Sequence, residues 1–476
     1  MKNLLKKVIF TLFVTILFIF SVSANPKQFD SSVIISGLED LDPLVNLEVT
    51  VEIQAIRSFQ KFELANPKTF EAIDLFSDPD FFVKVYIEDQ EFESDIWYDT
   101  KYIYNTNFSP TLDVSDEEEF VNIKIQLFDW NSFGERLCDV SANGKDVELT
   151  YSLKTGHWTG DDKISDSSGY GRLNGCADSS IYKRQRDCEL WFNIYQNDYD
   201  NDGIPYWTEV NVYGTDPEID NTGEDADDDD IPIEWEWKWD YDPFKKENHY
   251  YLDPDNDGLT NLEEYYVCEW GSDPFREDIF IELDWMEESP DGVKSTLYEG
   301  ADEILSTAFN RFDKIFHLDY GQMGGGGEII PYDDKLDHHD LRDDIYWEYF
   351  LHEDENNWRK GVFRYSVIVY DPGRAGYNFR RGAFVVSSNR VKDMVLRDFP
   401  RAQAISWASI YMHEMGHTFD LRNPGVDNPN IFQYLNYKSC MKYAYTYRLV
   451  DYSDGSRIND FNDWEDMDLK YFQGEW

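Results

Sequence analysis

"SIYMHEMGHTFDLRN" (409–423) decides how the C-terminal half of this chain is read. His413 and His417 stand four apart, with Glu414 directly after the first. On an α-helix that spacing is one turn, so both imidazoles fall on one face. Two such nitrogens suit a zinc ion, and a carboxylate beside them can handle a water. The apolar run "AQAISWASIYM" (402–412) leads into the motif, and the predicted helix is 402–421. Zinc takes a third protein ligand, yet no histidine follows His417.

Outward from the motif, "DIFIELDWM" (278–286), "FRYSVIVYD" (363–371) and "RGAFVVSS" (381–388) read as strands. "STLYEGADEILSTAFNRF" (295–312) reads as a helix and "GQMGGGGEIIP" (321–331) as a flexible loop. Strands first and the metal helix after predict an α+β domain over 277–476. "YKSCMKYAY" (437–445) follows, and Met441 with Tyr443 two residues later resembles the Met-turn of metzincin proteases. "RRGAFVVSSN" (380–389) resembles their substrate-pairing edge strand, to which a peptide would add as a further strand. The resemblance implies a zinc endopeptidase. His413 and His417 would hold Zn2+, and Glu414 would be the general base. Tyr443 would support the oxyanion, and Met441 would floor the site. The chain departs from the family after His417, where glycine and histidine are replaced by Asp420 and Asn423. Asp427, in the turn-rich "NPGVDNP" (423–429), is the first candidate for third ligand, then Asp420, then Asn423. Tyr443, an upstream His338 or His339, and a gluzincin-type glutamate (Glu465 or Glu475) stay open.

Residues 197–276 form an acidic repeat. "DYDNDGIPYWTE" (198–209) puts Asp198, Asp200, Asp202, Gly203 and Glu209 at positions 1, 3, 5, 6 and 12 of an EF-hand-type calcium loop. "DPDNDGLTNLEE" (253–264) repeats this with Asp253, Asp255, Asp257, Gly258 and Glu264. Alternate acids offer hard oxygens, glycine permits the turn, and the last glutamate closes the shell. The middle copy, "DADDDDIPIEWE" (225–236), keeps Asp225, Asp227, Asp229 and Glu236 but has Asp230 for glycine, which restricts the backbone. The repeat resembles thrombospondin type 3 calcium repeats. With one partial helix per loop, structural Ca2+ sites that stiffen a linker are expected.

Residues 46–196 read as an all-β sandwich. The strand signals are "LEVTVEIQAI" (47–56), "FFVKVYIE" (81–88), "FVNIKIQLFD" (120–129) and "CELWFNIYQ" (188–196). "DLFSDPDFFVKVYI" (74–87) and "IQLFDWNSFGE" (125–135) resemble two calcium loops of the phospholipid-binding sandwich in protein kinase C and synaptotagmin. Asp74, Asp80, Asp129, Asn131 and Glu135 carry that likeness, which implies calcium-dependent contact with a membrane surface.

The first 24 residues read as a secretory signal: Lys2, Lys6 and Lys7, then "VIFTLFVTILFIF" (8–20), then small residues before Ala24. A spacer, 25–45, follows. Uncleaved, the segment would anchor the chain to a membrane; either way the rest is expected outside the cytoplasm. Lys+Arg number 43 against 95 Asp+Glu, a net charge of −52, which repels nucleic acid and calls for cations. Five cysteines leave at least one unpaired, and a bridge among Cys138, Cys176 and Cys188 is expected. Together these features predict a secreted, multidomain zinc endopeptidase acting on a protein or peptide on calcium-stabilised accessory domains. The alternative is a calcium-dependent adhesion or membrane-binding protein with an inactive protease-like domain.

Overall fold

Period-two burial builds the N-terminal region. The computed structural model describes residues 47–474 apart from 60–61, 64–77, 116–117, 132–133, 163–170, 177–185, 247–248, 399–401, 423–435 and 459. The signal segment, Asp74, Asn423, Asp427 and Glu475 therefore lie outside the described residues. The long strands here are β1 (Glu48–Ser58), β2 (Phe81–Ile87), β3 (Phe120–Asn131), β4 (Val147–Ser152) and β5 (Cys188–Tyr195). β3 turns Val121, Ile123, Ile125 and Leu127 inward and exposes the residues between them to varying degrees. β5 and β1 are central in one antiparallel sheet. β4, β3 and β2 are central in the other. Such half-apolar strands bury one face each when two sheets stack, which makes a β-sandwich.

The three acidic loops share one backbone path. Asn201 and Gly203, Asp228 and Asp230, and Asn256 and Gly258 all have positive φ. Asp230 accepts φ +76°, a conformation that glycine adopts without strain. One short helix follows each loop: Tyr206–Thr208, Ile233–Lys238 and Asn261–Tyr266.

The C-terminal region is built on β6 (Asp278–Met286), β7 (Ile315–Asp319), β8 (Phe363–Val369), β9 (Gly376–Arg380) and β10 (Ala383–Ser387). Their order is β7-β6-β8-β10-β9. The first four are parallel, and β9 runs antiparallel against β10. Helix α1 (Ala301–Asn310) lies between β6 and β7 in sequence, and α2 (Gln403–Gly416) follows β10. Ile279, Ile281 and Leu283 of β6 pack with α1 and α2, while Phe280 and Met286 face the helical stretch Asp340–Phe350. The sheet is thus covered on both sides, which explains why β6 is buried almost throughout, its Glu282 and Asp284 carboxylates included. This replaces the expected α+β arrangement with a mostly parallel, three-layer one, because α1 crosses between two parallel strands.

A second correction concerns the sheet edge. The stretch 380–389 was expected to be the edge strand, but β10 is interior and wholly buried; β9 is the edge. The buried run "AFVV" marks a central strand, whereas β9 is only half-buried. The glycine-rich segment is also no loose loop. It wraps Asp319, whose carboxylate accepts N–H bonds from Gly321, Met323, Gly325 and Gly326 and pairs with Arg359 at 2.6 Å.

Residues 43–476 pack as one unit. Tyr102 of the sandwich side donates to the Glu303 carbonyl on α1, and Asn310 donates to Glu189 of β5. His157 stacks on Trp237 beside the middle loop. A Cβ on Gly326 would lie 2.2 Å from the Asp319 carbonyl oxygen. Gly326→Ala is therefore expected to destabilise the chain by roughly 1–3 kcal/mol in urea unfolding; an unchanged midpoint would refute the close approach.

Candidate metal centre

α2 ends where its motif ends. The helix passes into a 3-10 turn, His417–Phe419, and Asp420 takes φ +59°. The Leu421 N–H returns to the Gly416 carbonyl, closing the C-terminus. His413 Nδ1 lies 2.8 Å from the Cys440 carbonyl oxygen, and His417 Nδ1 lies 2.7 Å from that of Leu421. A carbonyl only accepts, so each Nδ1 carries the proton and each ring lone pair is on Nε2. The rings lie 5.2 Å apart, and ligand atoms of His413, Glu414 and His417 fall within 4.8 Å of one another. Burial, with His417 nearby, lowers the His413 pKa to about 4, which keeps the imidazole neutral. Burial raises Glu414 to about 8, and Arg374 opposes that rise.

Close approaches from two sides shape the centre. Met441 is fully buried, and a Cβ on Gly416 would lie 2.4 Å from its Sδ. The glycine of "HEMGH" is thus required by the methionine packed against it. On the other side, a Cβ on Gly376 of β9 would lie 2.5 Å from Glu414 Oε1. The cleft between β9 and α2 measures about 730 Å³, and Arg374, Asn378, Tyr443 and Arg448 line it with the motif residues. Tyr443 is exposed, its ring 5.6 Å from that of His413. Asp420 does not line this cleft; it is exposed and pairs with Arg422. His338 and His339 are exposed and do not line it either. Neither Gly376 nor Arg374 is marked in the sequence by any motif, since their roles depend on which strand takes the edge.

In the acidic loops, ligand oxygens of Asp198, Asp200 and Asp202 converge within 4.8 Å, as do those of Asp225, Asp227 and Asp229 and those of Asp253, Asp255 and Asp257. The closing glutamates Glu209, Glu236 and Glu264 are at most 1 % exposed. Among the described residues, Glu209 Oε2, Glu236 Oε2 and both oxygens of Glu264 have no hydrogen-bond partner. Burial raises Glu209 and Glu236 to about 7. Buried, orphaned carboxylate oxygens of this kind fit a hard cation.

At one end of the sandwich Asp80 and Asp129 meet. The Asp80 N–H donates to Asp129 Oδ1 at 3.3 Å, and the Asp99 N–H donates to Asp80 Oδ1 at 2.8 Å. Tyr98 and Trp130, next to these acids, are exposed.

No protein-family model matches the chain, and no curated protein does. Among solved structures it is similar to a C2 domain at 11% identity, over 31% of this chain and 98% of that one, with a TM-score of 0.19. It is also similar to a C2 domain of plant extended synaptotagmin 1, at 14% identity over 32% and 96% of the two chains, with a TM-score of 0.20. For human GIVD cytosolic phospholipase A2 the identity is 14% and the TM-score 0.20, and the match covers 32% of this chain but only 16% of the phospholipase. The sandwich itself rests on its own two antiparallel sheets.

Gly376→Ala is expected to destabilise the chain by roughly 1–3 kcal/mol, and Glu414→Ala to remove most of that cost. A double-mutant cycle in urea measures the coupling; strict additivity would mean that strand and carboxylate do not press on each other.

Proposed function

We propose that this chain is a secreted zinc-dependent endopeptidase, with calcium holding its accessory regions. The observation that carries the reading is the pair of carbonyl-held imidazoles on α2, with buried Glu414 between them and the cleft beside edge strand β9. His413 and His417 would hold the ion through Nε2, and Asp427 is the proposed third ligand. When bound, zinc supplies an acidified water and polarises the scissile carbonyl. Glu414 takes the water's proton and passes it to the leaving amine; its burial, opposed by Arg374, favours the protonated form that this second step needs. β9 pairs only with β10 among the described residues, so its outer edge can add an extended peptide as a strand. Tyr443, at the mouth of the cleft, donates to the oxyanion.

A second reading concerns the sandwich. Calcium-bound extended synaptotagmin 2 is among the structures the chain is similar to, at 12% identity and a TM-score of 0.20. Asp80 and Asp129 would take calcium, and exposed Tyr98 and Trp130 beside them would enter a lipid headgroup layer. This is the alternative of a calcium-dependent membrane-binding protein, and it is compatible with an active or an inactive cleft.

Two measurements separate these readings. Purified chain is expected to hold one catalytic zinc, lost in His413→Ala and retained in Glu414→Gln, while casein cleavage in Glu414→Gln falls about 10²–10⁴-fold. Undiminished cleavage by Glu414→Gln sinks the peptidase mechanism. For the sandwich, co-sedimentation with phosphatidylserine vesicles is expected in calcium and not in chelator, and Trp130→Ala should weaken it. Vesicle binding that ignores calcium removes the second reading.

A further inference from the structure

The middle acidic loop differs from its neighbours in what holds its carboxylates. In the first loop, Asp202 Oδ1 accepts the Ile204 N–H at 2.9 Å and Oδ2 accepts the Asn221 N–H at 3.3 Å. In the third, Asp257 Oδ1 accepts the Leu259 N–H and Oδ2 accepts the Asp278 N–H, both at 2.7 Å. Each position-5 aspartate is thus held by its own loop and by the element that follows. In the middle loop, Asp229 Oδ1 accepts the Ile231 N–H at 3.0 Å, but among the described residues its Oδ2 has no hydrogen-bond partner. His249 Nε2 lies 3.1 Å from that oxygen, in ion-pair range and not hydrogen-bonded to it. The same nitrogen lies 2.9 Å from Oε1 of Glu236, the closing glutamate. In the first loop the corresponding Glu209 Oε1 accepts from the Thr215 hydroxyl at 3.0 Å. The imidazole therefore replaces the Thr215 hydroxyl as the donor to the closing glutamate, and it also lies against the position-5 aspartate.

We propose that His249 is the positioning residue of a calcium site in the middle loop, its Nε2–H donating to the closing Glu236 and orienting that carboxylate toward the ion. The inference rests on the calcium reading of the loops. Carboxylates only accept, so Nε2 carries the proton in this arrangement. The ring is 3 % exposed and stacked on Tyr241 at 4.5 Å, so its direction is fixed. Glu236 is fully buried, and among the described residues its Oε2 has no hydrogen-bond partner; neither has Asp229 Oδ2 nor either oxygen of Asp227. Those oxygens, with Asp225 and Asp229, remain for a hard cation. The loop keeps its path with Asp230 in place of glycine because the Asp230 N–H donates to Asp225 Oδ2 at 2.8 Å, as the Gly203 N–H donates to Asp198 Oδ2 at 2.9 Å in the first loop. The closing glutamate is held by a donor from outside the loop, so its placement depends less on the loop's own turn.

The test is the calcium count of the full-length chain by equilibrium dialysis, on wild type, His249→Ala and His249→Gln, with folding checked by circular dichroism. Wild type is expected to bind one calcium per acidic loop. His249→Ala should lose about 10–100-fold in affinity at one site and leave the other two unchanged. His249→Gln, which keeps a donor at similar reach, should restore most of the loss. If His249→Ala does not fold, a recovered middle site in His249→Gln still supports the role. A glutamine variant that folds without that site overturns it. Wild type with calcium in the first and third loops only would overturn the proposal, because the imidazole would then stand in for the ion. So would a transition metal retained in the middle loop under saturating calcium, because the ring would then be a ligand. If no acidic loop bound calcium, the calcium reading itself would fail.

Discussion

The C-terminal region is laid on β6, and β6 begins inside an acidic cage. Asp257 of the third loop accepts the N–H of Asp278, the first residue of that strand. The Asp278 carboxylate in turn accepts the Asp273 N–H and meets His317 of β7 at 2.5 Å. Two neighbouring parallel strands thus start from one cluster of buried acids. Burial and mutual repulsion raise Asp257 to about 8 and push Glu264 well above its ordinary range. A cation among these oxygens relieves both costs at once. The third loop also meets the C-terminal segment, where Lys470 pairs with Asp253 and Gln473 donates to the Gly258 carbonyl. Charge on the acidic loops is therefore an internal variable of the sheet that carries α2, beyond its effect on solubility.

At the cleft, the recurring device is backbone brought close to a reactive side chain. Carbonyls of Cys440 and Leu421 hold the imidazoles, and β9 presses on Glu414 at a glycine. Each contact removes a side-chain freedom that would otherwise oppose ligand binding. Cys440 takes part through its carbonyl, while its thiol is simply buried.

Much of this was legible in the sequence, for identifiable reasons. Alternation over 120–129 sets which face of β3 is inward, and the structure follows it. The spacing of His413 and His417 forces a shared helix face, and the acid spacing forces carboxylates to converge, whatever surrounds them. The edge strand was misplaced because apolar content marks burial, and the buried strand is the interior one. β7 and β9 carry no sharp signal: β7 is short, and β9 mixes glycine, asparagine and arginine. His249 was invisible for a different reason. A lone histidine acquires meaning only when compared with the backbone donors of the flanking loops, and those are properties of the folded chain. Asp427, the proposed third ligand, lies outside the described residues.

The turn that holds His413 is itself fastened from the far end of the chain. Ser406 and Ser409 of α2 donate to the carbonyls of Tyr447 and Leu449, and the Tyr447 N–H returns to Ser409 Oγ. Leu449 and Val450 then pair as a strand with Glu63 and Phe62 of the N-terminal region. The path from this N-terminal strand to the His413 imidazole therefore runs through one short strand pair, α2 and the Cys440 carbonyl. The strand pair is main-chain, whereas its ties to α2 and His413 run through the Ser406 and Ser409 hydroxyls and the His413 ring.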